Sequence, residues 1–302
     1  MKIVLTALVV ATLTWGPAHA RESTRHRQPL LGTLGQEPRF EQVFGQRMAY
    51  YEYGARHRGR GPTLILIPHL AWDSNAWASN VGELGARYHV IAVDPLGHGR
   101  SDKPMLDYKM DTWTDTIAEF VRRRHLGRAV FGGAGMGGAL SVQMALDHPR
   151  LVSGIIVAAS NSGPGEHAGA ARPSGPYGPS LAGTRNYLLD NFYDDSLVTE
   201  EVVRARFEYR LRANDGYVIQ RHLADHRAPY SVDELARITV PALFPWCRDD
   251  TVTPLGWGED FARALPHGRL VVLERCGHFP NMEQPEQFNA AVLAFLASLP
   301  TR

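Results

Sequence analysis

The chain reads as an α/β protein, with a mostly parallel central sheet flanked by helices and a helical cap inserted into it. Three observations carry this expectation. Short runs such as Leu64-Ile65-Leu66-Ile67 and Val90-Ile91-Ala92-Val93 are apolar at every position, as strands buried on both faces of a parallel sheet must be. Stretches with helical character stand between these runs. The alternation breaks off once, near Asn161, and resumes after a block of roughly 75 residues, too long for a plain connection.

The elements follow in order. Phe40 to Tyr53 alternates loosely around Gly45 and predicts a hairpin. Leu64–Ile67, Val90–Val93, Ala129-Val130-Phe131 and Gly154–Ala158 are the next strands, with a helix from Thr114 to His125 among the segments between them. Residues 161 to 183 are rich in Gly, Pro, Ala and Ser. Asn186 to Tyr193 and Glu200 to Ala213 then predict helices, the second with Thr199 as N-cap. The sheet resumes at Pro241–Phe244 and Leu270–Leu273, and Phe288 to Leu299 is a closing amphipathic helix. This divides the chain into a signal peptide (1–20), an irregular segment (21–38), a sheet domain (39–160 and 238–302) and a helical cap (161–237).

The 302 residues suit one large domain with an insertion, and 44% hydrophobic residues suffice for its core. With 32 Lys plus Arg against 31 Asp plus Glu, the chain has neither a nucleic-acid surface nor an acidic tail. At the N-terminus, Lys2, the apolar run Ile3 to Trp15 and the small-x-small site Ala18-His19-Ala20 predict a secretory signal peptide cleaved after Ala20. That places the mature protein in the periplasm or outside the cell. The run is too short to span a bilayer comfortably, so no stable membrane insertion is expected after cleavage. The 13 histidines show no metal-ligand spacing, and no glycine-rich loop fits a dinucleotide; neither a metal nor a cofactor is expected. Oligomeric state cannot be read from the sequence.

Three loops carry the chemistry. Gly133-Ala134-Gly135-Met136-Gly137 follows a strand and opens a helix, the place of a nucleophile elbow of pattern Gly-x-Ser-x-Gly. Its central position is Gly135, which adopts the elbow's backbone angles but has no side chain. Shifting the register offers only Ala134, and Ser141 lies well inside the following helix. Downstream, Arg248-Asp249-Asp250-Thr251-Val252-Thr253-Pro254 follows one strand and Cys276-Gly277-His278-Phe279-Pro280 the next. A lone Asp-Asp is usually a solvated turn and a lone Gly-His merely a loop. In the order elbow, acid, histidine, each after its own strand, they predict Asp250 orienting His278 as a general base. The two cysteines, Cys247 and Cys276, precede Asp250 and His278 by a few residues. Adjacent strand ends would bring them within reach of a disulfide, but two buried thiols that never meet is the preferred reading, because spacing does not give geometry.

Over residues 40 to 299 the sequence resembles the α/β-hydrolase superfamily, which implies the α/β-hydrolase fold. Asp94-Pro95-Leu96-Gly97-His98-Gly99-Arg100-Ser101 is similar to that family's loop after its fourth strand. Within the family the chain most resembles the meta-cleavage-product hydrolases, which split carbon–carbon bonds of ring-fission products. Tyr193 to Glu201, followed by Arg206-Phe207-Glu208, resembles their cap helix. The resemblance implies that Arg206 binds a substrate carboxylate; the alternative is an exposed helix charge. It also implies an oxyanion hole of the backbone N–H groups of Leu70 and Met136, which need no particular side chain. His69 either lines the substrate pocket or packs within its loop, and Phe279 stands where these hydrolases often carry Trp. The departures are Gly135 for serine, Ala134 where Asn is frequent, and Pro68-His69-Leu70-Ala71-Trp72 for a His-Gly loop with small residues. They weaken the specific case for carbon–carbon cleavage and leave the fold expectation intact.

With glycine at the nucleophile's position, four readings stay open. In the first, an enzyme's His278–Asp250 pair activates water or deprotonates substrate directly, and the absent serine leaves space for a water. This allows hydrolysis without an acyl-enzyme, or a lyase, cyclase or isomerase reaction. In the second, the chain is a hydrolase copy whose serine was replaced. In the third, the capped site binds ligand without chemistry, and in the fourth the role is structural, for which no feature speaks. The retained acid and histidine favour chemistry, and the first reading is placed ahead of the second. The expected activity is hydrolysis of an ester, a lactone or a carbon–carbon bond in a small, partly apolar carbonyl compound held between sheet and cap.

Overall fold

A computed structural model describes residues 31–164, 180–224 and 229–300. The expected signal peptide lies outside the described residues, as does most of the Gly- and Pro-rich start of the cap. The apolar runs are strands. β1 (Arg39–Val43) and β2 (Gln46–Tyr53) make the expected hairpin, turning at Phe44 and Gly45, both with positive φ. β3 (Thr63–Ile67), β4 (His89–Val93), β5 (Ala129–Ala134), β6 (Val152–Ala158), β7 (Ala242–Cys247) and β8 (Gly268–Leu273) follow. All eight join one sheet in the order β1-β2-β4-β3-β5-β6-β7-β8. The pairs β1–β2 and β2–β4 are antiparallel and every other pair is parallel.

Successive side chains of each strand point to opposite faces. Leu64 and Leu66 join Val90, Ala92 and Val130 on one face, under α1 (Val81–Gly85) and α10 (Pro285–Ser298), which contribute Leu84, Phe288, Val292 and Leu296. Ile65 and Ile67 join Ile91, Val93 and Phe131 on the other, under α2 (Met110–Arg123), α3 (Met136–Asp147) and α8 (Leu255–Ala264). In α2 the buried residues Trp113, Ile117, Phe120 and Val121 recur at helical spacing, which makes the inward stripe. Covering both faces leaves the carboxyl ends of the strands as the place where loops converge, the usual ligand side of an open parallel sheet.

The cap comprises α4 (Leu181–Asn191), α5 (Glu200–Ala213) and α6 (Gly216–Ala224), and α7 (Val232–Ala236) leads back to the sheet. α5 has the expected bounds: the Thr199 hydroxyl accepts the Val202 N–H (3.3 Å), and Asn214 ends the helix in the left-handed conformation. α4 starts earlier than its apolar residues suggest because Ser180 caps it, accepting the Gly183 N–H at 2.9 Å. Trp72, Tyr187, Leu188, Phe192, Val203 and Phe279 form an apolar cluster that seats the cap on the sheet domain beside a short helix, α9 (Pro280–Glu283). Among the described residues no helix is long and apolar enough to cross a membrane.

Candidate active site

The elbow forms as its glycines require. β5 runs into Gly135 at φ 55° and ψ −118°, and α3 begins at Met136. These angles are strained for any residue with a side chain. A Cβ on Gly133 would lie 2.2 Å from the carbonyl carbon of Gly137, and one on Gly137 would lie 2.2 Å from the Ile67 carbonyl oxygen. Ser141 is turned away: it is buried in α3, where its hydroxyl donates to the Gly137 carbonyl (2.9 Å).

The acid and the histidine meet. Asp250 and His278 follow β7 and β8, which are neighbours in the sheet, and His278 Nδ1 lies 3.0 Å from Asp250 Oδ2. Both are buried, at 3% and 4% exposure. Asp250 is held by its own loop: Oδ1 accepts the N–H groups of Val252 and Thr253 (2.8 Å each), and Oδ2 accepts the Thr253 hydroxyl (2.7 Å). Burial alone would push the Asp250 carboxyl up. The charge and hydrogen bond of His278 and the bonds from Thr253 outweigh it and hold the group below the ordinary carboxylate range.

His69 contributes the least expected feature. A Cβ on Gly135 would lie 2.1 Å from His69 Cδ2 and 2.2 Å from His69 Nε2. The imidazole edge therefore occupies the volume of the missing side chain, which corrects the expectation that the absent serine leaves space for a water. His69 Nε2 is 3.1 Å from His278 Nε2, and His69 Nδ1 is 3.2 Å from the Leu70 carbonyl oxygen. Burial first, then the charge of His278, pushes the His69 imidazole down to about 3, so the ring is neutral at ordinary pH.

The remaining expected residues surround this row. Among the described residues, no backbone hydrogen bond engages the Leu70 or the Met136 N–H, which leaves both able to donate. Arg206 is buried, at 2% exposure, and is not an exposed helix charge. It donates through Nη2 to the Ala71 carbonyl (2.8 Å) and lies over the Trp72 ring, 3.7 Å from its centroid. It thus anchors the loop that carries His69 and Leu70, at a point where Ala71 has φ 66°. Phe279 is buried among Trp72, Tyr187 and Phe192 and touches both histidine rings edgewise. Cys247 and Cys276 form a disulfide, their Cα atoms 5.3 Å apart, which ties the acid loop to the histidine loop. Among the described residues no group of three or more His, Cys, Asp or Glu side chains is placed to hold a metal ion.

A family model described as the alpha/beta hydrolase family matches residues 13–291. The chain belongs to the α/β-hydrolase family. Among its relatives, the dihydrolipoyllysine-residue acetyltransferase component of an acetoin cleaving system from Pseudomonas putida is 31% identical over 272 residues, covering 87% of this chain and 70% of that protein. A 2-hydroxy-6-oxononadienedioate/2-hydroxy-6-oxononatrienedioate hydrolase from a Pseudomonas species is 29% identical over 254 residues, covering 79% and 89%. The fold matches that of the meta-cleavage product hydrolase from Pseudomonas fluorescens IP01, with a TM-score of 0.77 at 24% identity over 86% of this chain and 97% of that one. The enol-lactonase from Burkholderia xenovorans LB400 superposes with a TM-score of 0.72, covering 86% and 100%. The resemblance to meta-cleavage-product hydrolases is therefore present in both sequence and fold.

Three residues of this family member's site escaped the sequence reading. Thr253 positions Asp250, and the spacing Asp-x-x-Thr, a local turn pattern, was its only signal. Glu283 accepts the N–H groups of Gly277 and Phe279, on either side of His278, and that of Tyr193 in the cap. Asn191, the last residue of α4, accepts the His278 N–H (2.7 Å) through its carbonyl, a contact that Gly277 permits because a Cβ there would lie 2.6 Å from that oxygen.

Proposed function

We propose that this α/β-hydrolase-family protein is an exported enzyme that hydrolyses an ester, a lactone or a carbon–carbon bond in a small carbonyl compound, without a serine nucleophile. His278, oriented by Asp250, takes and returns the proton. The N–H groups of Leu70 and Met136 hold the negative charge that develops on the carbonyl oxygen. The observation that carries this reading is the 3.0 Å contact between His278 Nδ1 and Asp250 Oδ2, made beside the elbow at Gly135. It fixes the imidazole with Nε2 facing the reacting side, as acid–base catalysis needs. A dead copy would not need to keep Asp250 held by four hydrogen bonds while its partner faces the elbow. The relatives named above include a 2-hydroxy-6-oxononadienedioate/2-hydroxy-6-oxononatrienedioate hydrolase, which supports a carbonyl compound as substrate. Export is supported by the N-terminal segment and by a disulfide of the kind that persists in oxidising compartments.

The test is turnover of a panel of short p-nitrophenyl esters, an enol lactone and a ring-fission dienone. Asp250→Asn is expected to lose about 10²- to 10⁴-fold and His278→Ala to lose all detectable activity. Full turnover by His278→Ala would overturn the role of the pair.

A further inference from the structure

His69 remains without a task in this scheme, and its position suggests one. Its Nε2 lies 2.2 Å from the ideal Cβ position on Gly135, within the volume that a serine side chain there would fill, and 3.1 Å from His278 Nε2. We propose that His69 is the nucleophile of this enzyme, its Nε2 attacking the substrate carbonyl in place of a serine. The proposal deepens the reading above and rests on it for the His278–Asp250 pair as the proton carrier, with His278 giving its proton in the first step and regaining it in the second.

Hydrogen placement makes the row work. The Leu70 carbonyl only accepts, so His69 Nδ1 carries a hydrogen. The Asp250 carboxylate only accepts, so His278 Nδ1 carries another. The Nε2–Nε2 contact needs a third hydrogen between the rings. Two neutral imidazoles supply two ring hydrogens, so the pair holds one proton more, and the Asp250 carboxylate balances its charge. Burial keeps a proton off His69, so its Nε2 keeps its lone pair and accepts the hydrogen in the 3.1 Å contact with His278 Nε2.

The reaction then closes. The His69 Nε2 lone pair forms a bond to the carbonyl carbon, and the bond from that carbon to the leaving oxygen breaks. His278 gives its Nε2 proton to the leaving oxygen, releasing an alcohol. An acylimidazolium on His69 remains, with Nδ1–H still on the Leu70 carbonyl, while His278 is now neutral. Water attacks the acyl carbon, His278 Nε2 takes one of its protons, and the carbon–nitrogen bond breaks. A carboxylic acid leaves, and both rings return to their starting protonation. The acceptor is thus an ester or lactone carbonyl, and the N–H groups of Leu70 and Met136 serve both steps. Histidine is an established covalent nucleophile in enzymes.

The experiment treats the full-length mature protein with p-nitrophenyl acetate, quenches it in acid within the first turnovers, and maps acetylation by peptide mass spectrometry. Acetyl on His69, formed in a burst and lost when reagent is removed, is the expected result. His69→Gln, which keeps a polar side chain of similar reach, is expected to lose the burst and about 100-fold or more in turnover. His278→Ala is expected to slow both formation and loss of the adduct without moving it to another residue. Because this reagent acylates free imidazole, His69 remaining unacetylated would overturn the assignment whatever the natural substrate. Turnover retained by His69→Gln but abolished in His278→Ala would overturn it while leaving the His278–Asp250 pair in place. Turnover retained by both variants would sink the pair as well.

Discussion

The imidazole of His69 fills the volume that a side chain on Gly135 would need: a Cβ there would lie 2.1 Å from His69 Cδ2. Restoring a serine is therefore not a one-residue change. Gly135→Ser must expel the His69 ring or distort the elbow, and it also adds a side chain at φ 55°, a strain of about 1–3 kcal/mol. Gly135→Ser alone is expected to gain little esterase activity. Gly135→Ser with His69→Ala clears the volume and leaves a serine facing His278, so the pair is expected to exceed the single variant by at least about 100-fold on p-nitrophenyl butyrate. Equal rates for the two variants would show that the ring moves aside freely.

The Cys247–Cys276 disulfide joins the ends of β7 and β8 just before the two residues that must stay aligned. It closes a loop of 29 residues in sequence separation, which in the chain-entropy account stabilises by about 3–4 kcal/mol. Cys247→Ser with Cys276→Ser is expected to lower the melting temperature by roughly 6–12 °C for a domain of this size. Calorimetry with and without reductant checks this. Activity is expected to fall further than unfolding accounts for at 25 °C, because slack between the two loops lengthens the His278–Asp250 contact. Two free thiols titrated in the unfolded, unreduced protein would exclude the bridge.

Arg206 has two of its binding modes already engaged inside the protein, one with the Ala71 carbonyl and one with the face of Trp72. Arg206→Lys keeps charge but loses the planar stacking and the fixed donor. The expected cost is about 2–4 kcal/mol of stability, from a charge-assisted hydrogen bond and a buried cation–π contact. Because the loop it holds carries His69 and Leu70, kcat is expected to fall to a similar degree for substrates with and without a carboxylate. A KM increase confined to carboxylate substrates would instead make Arg206 a substrate ligand, as the family resemblance implies.

The fold was legible because its signals are local and redundant. Leu64–Ile67 is apolar at every position and too short for a buried helix, which marks a doubly buried strand, and Thr199 followed by Glu200–Ala213 contains its own start signal. The Asp250–His278 pairing was legible from order alone, since parallel strands deliver their following loops to one edge. The site's departure from its family was only half legible. Gly135 announced that a side chain was missing, but the residue filling the gap comes from a loop 66 positions earlier, and 135 − 69 carries no periodicity that would connect them. His69 and Gly135 meet because β3 and β5 are neighbours in the sheet, a fact of strand order that no spacing along the chain encodes. Glu283 was hidden for the same reason: its three donors come from the histidine loop and from the cap.

Glu283 also gives the protein a pH dependence with a definite sign. Burial pushes its carboxyl up to about 7, although the N–H groups of Tyr193, Gly277 and Phe279 favour the charged form. The unfolded chain releases this proton near the ordinary carboxylate value of 4.5. Between there and about 7 the native state binds more protons than the unfolded state, so this group's contribution is full below 4.5 and is lost as pH rises through 7. At most about 3 kcal/mol is involved across that window, less whatever solvent screens. Asp94, raised by burial to about 6, acts in the same direction and must be subtracted. The measurement is urea unfolding of the wild type and of Glu283→Gln at several pH values from 4 to 9. The wild-type curve is expected to fall more steeply with pH between 5 and 7 than the variant's, with parallel curves above 8. Parallel curves across the whole range would mean that Glu283 is ionised throughout and holds the histidine loop to the cap as a plain carboxylate.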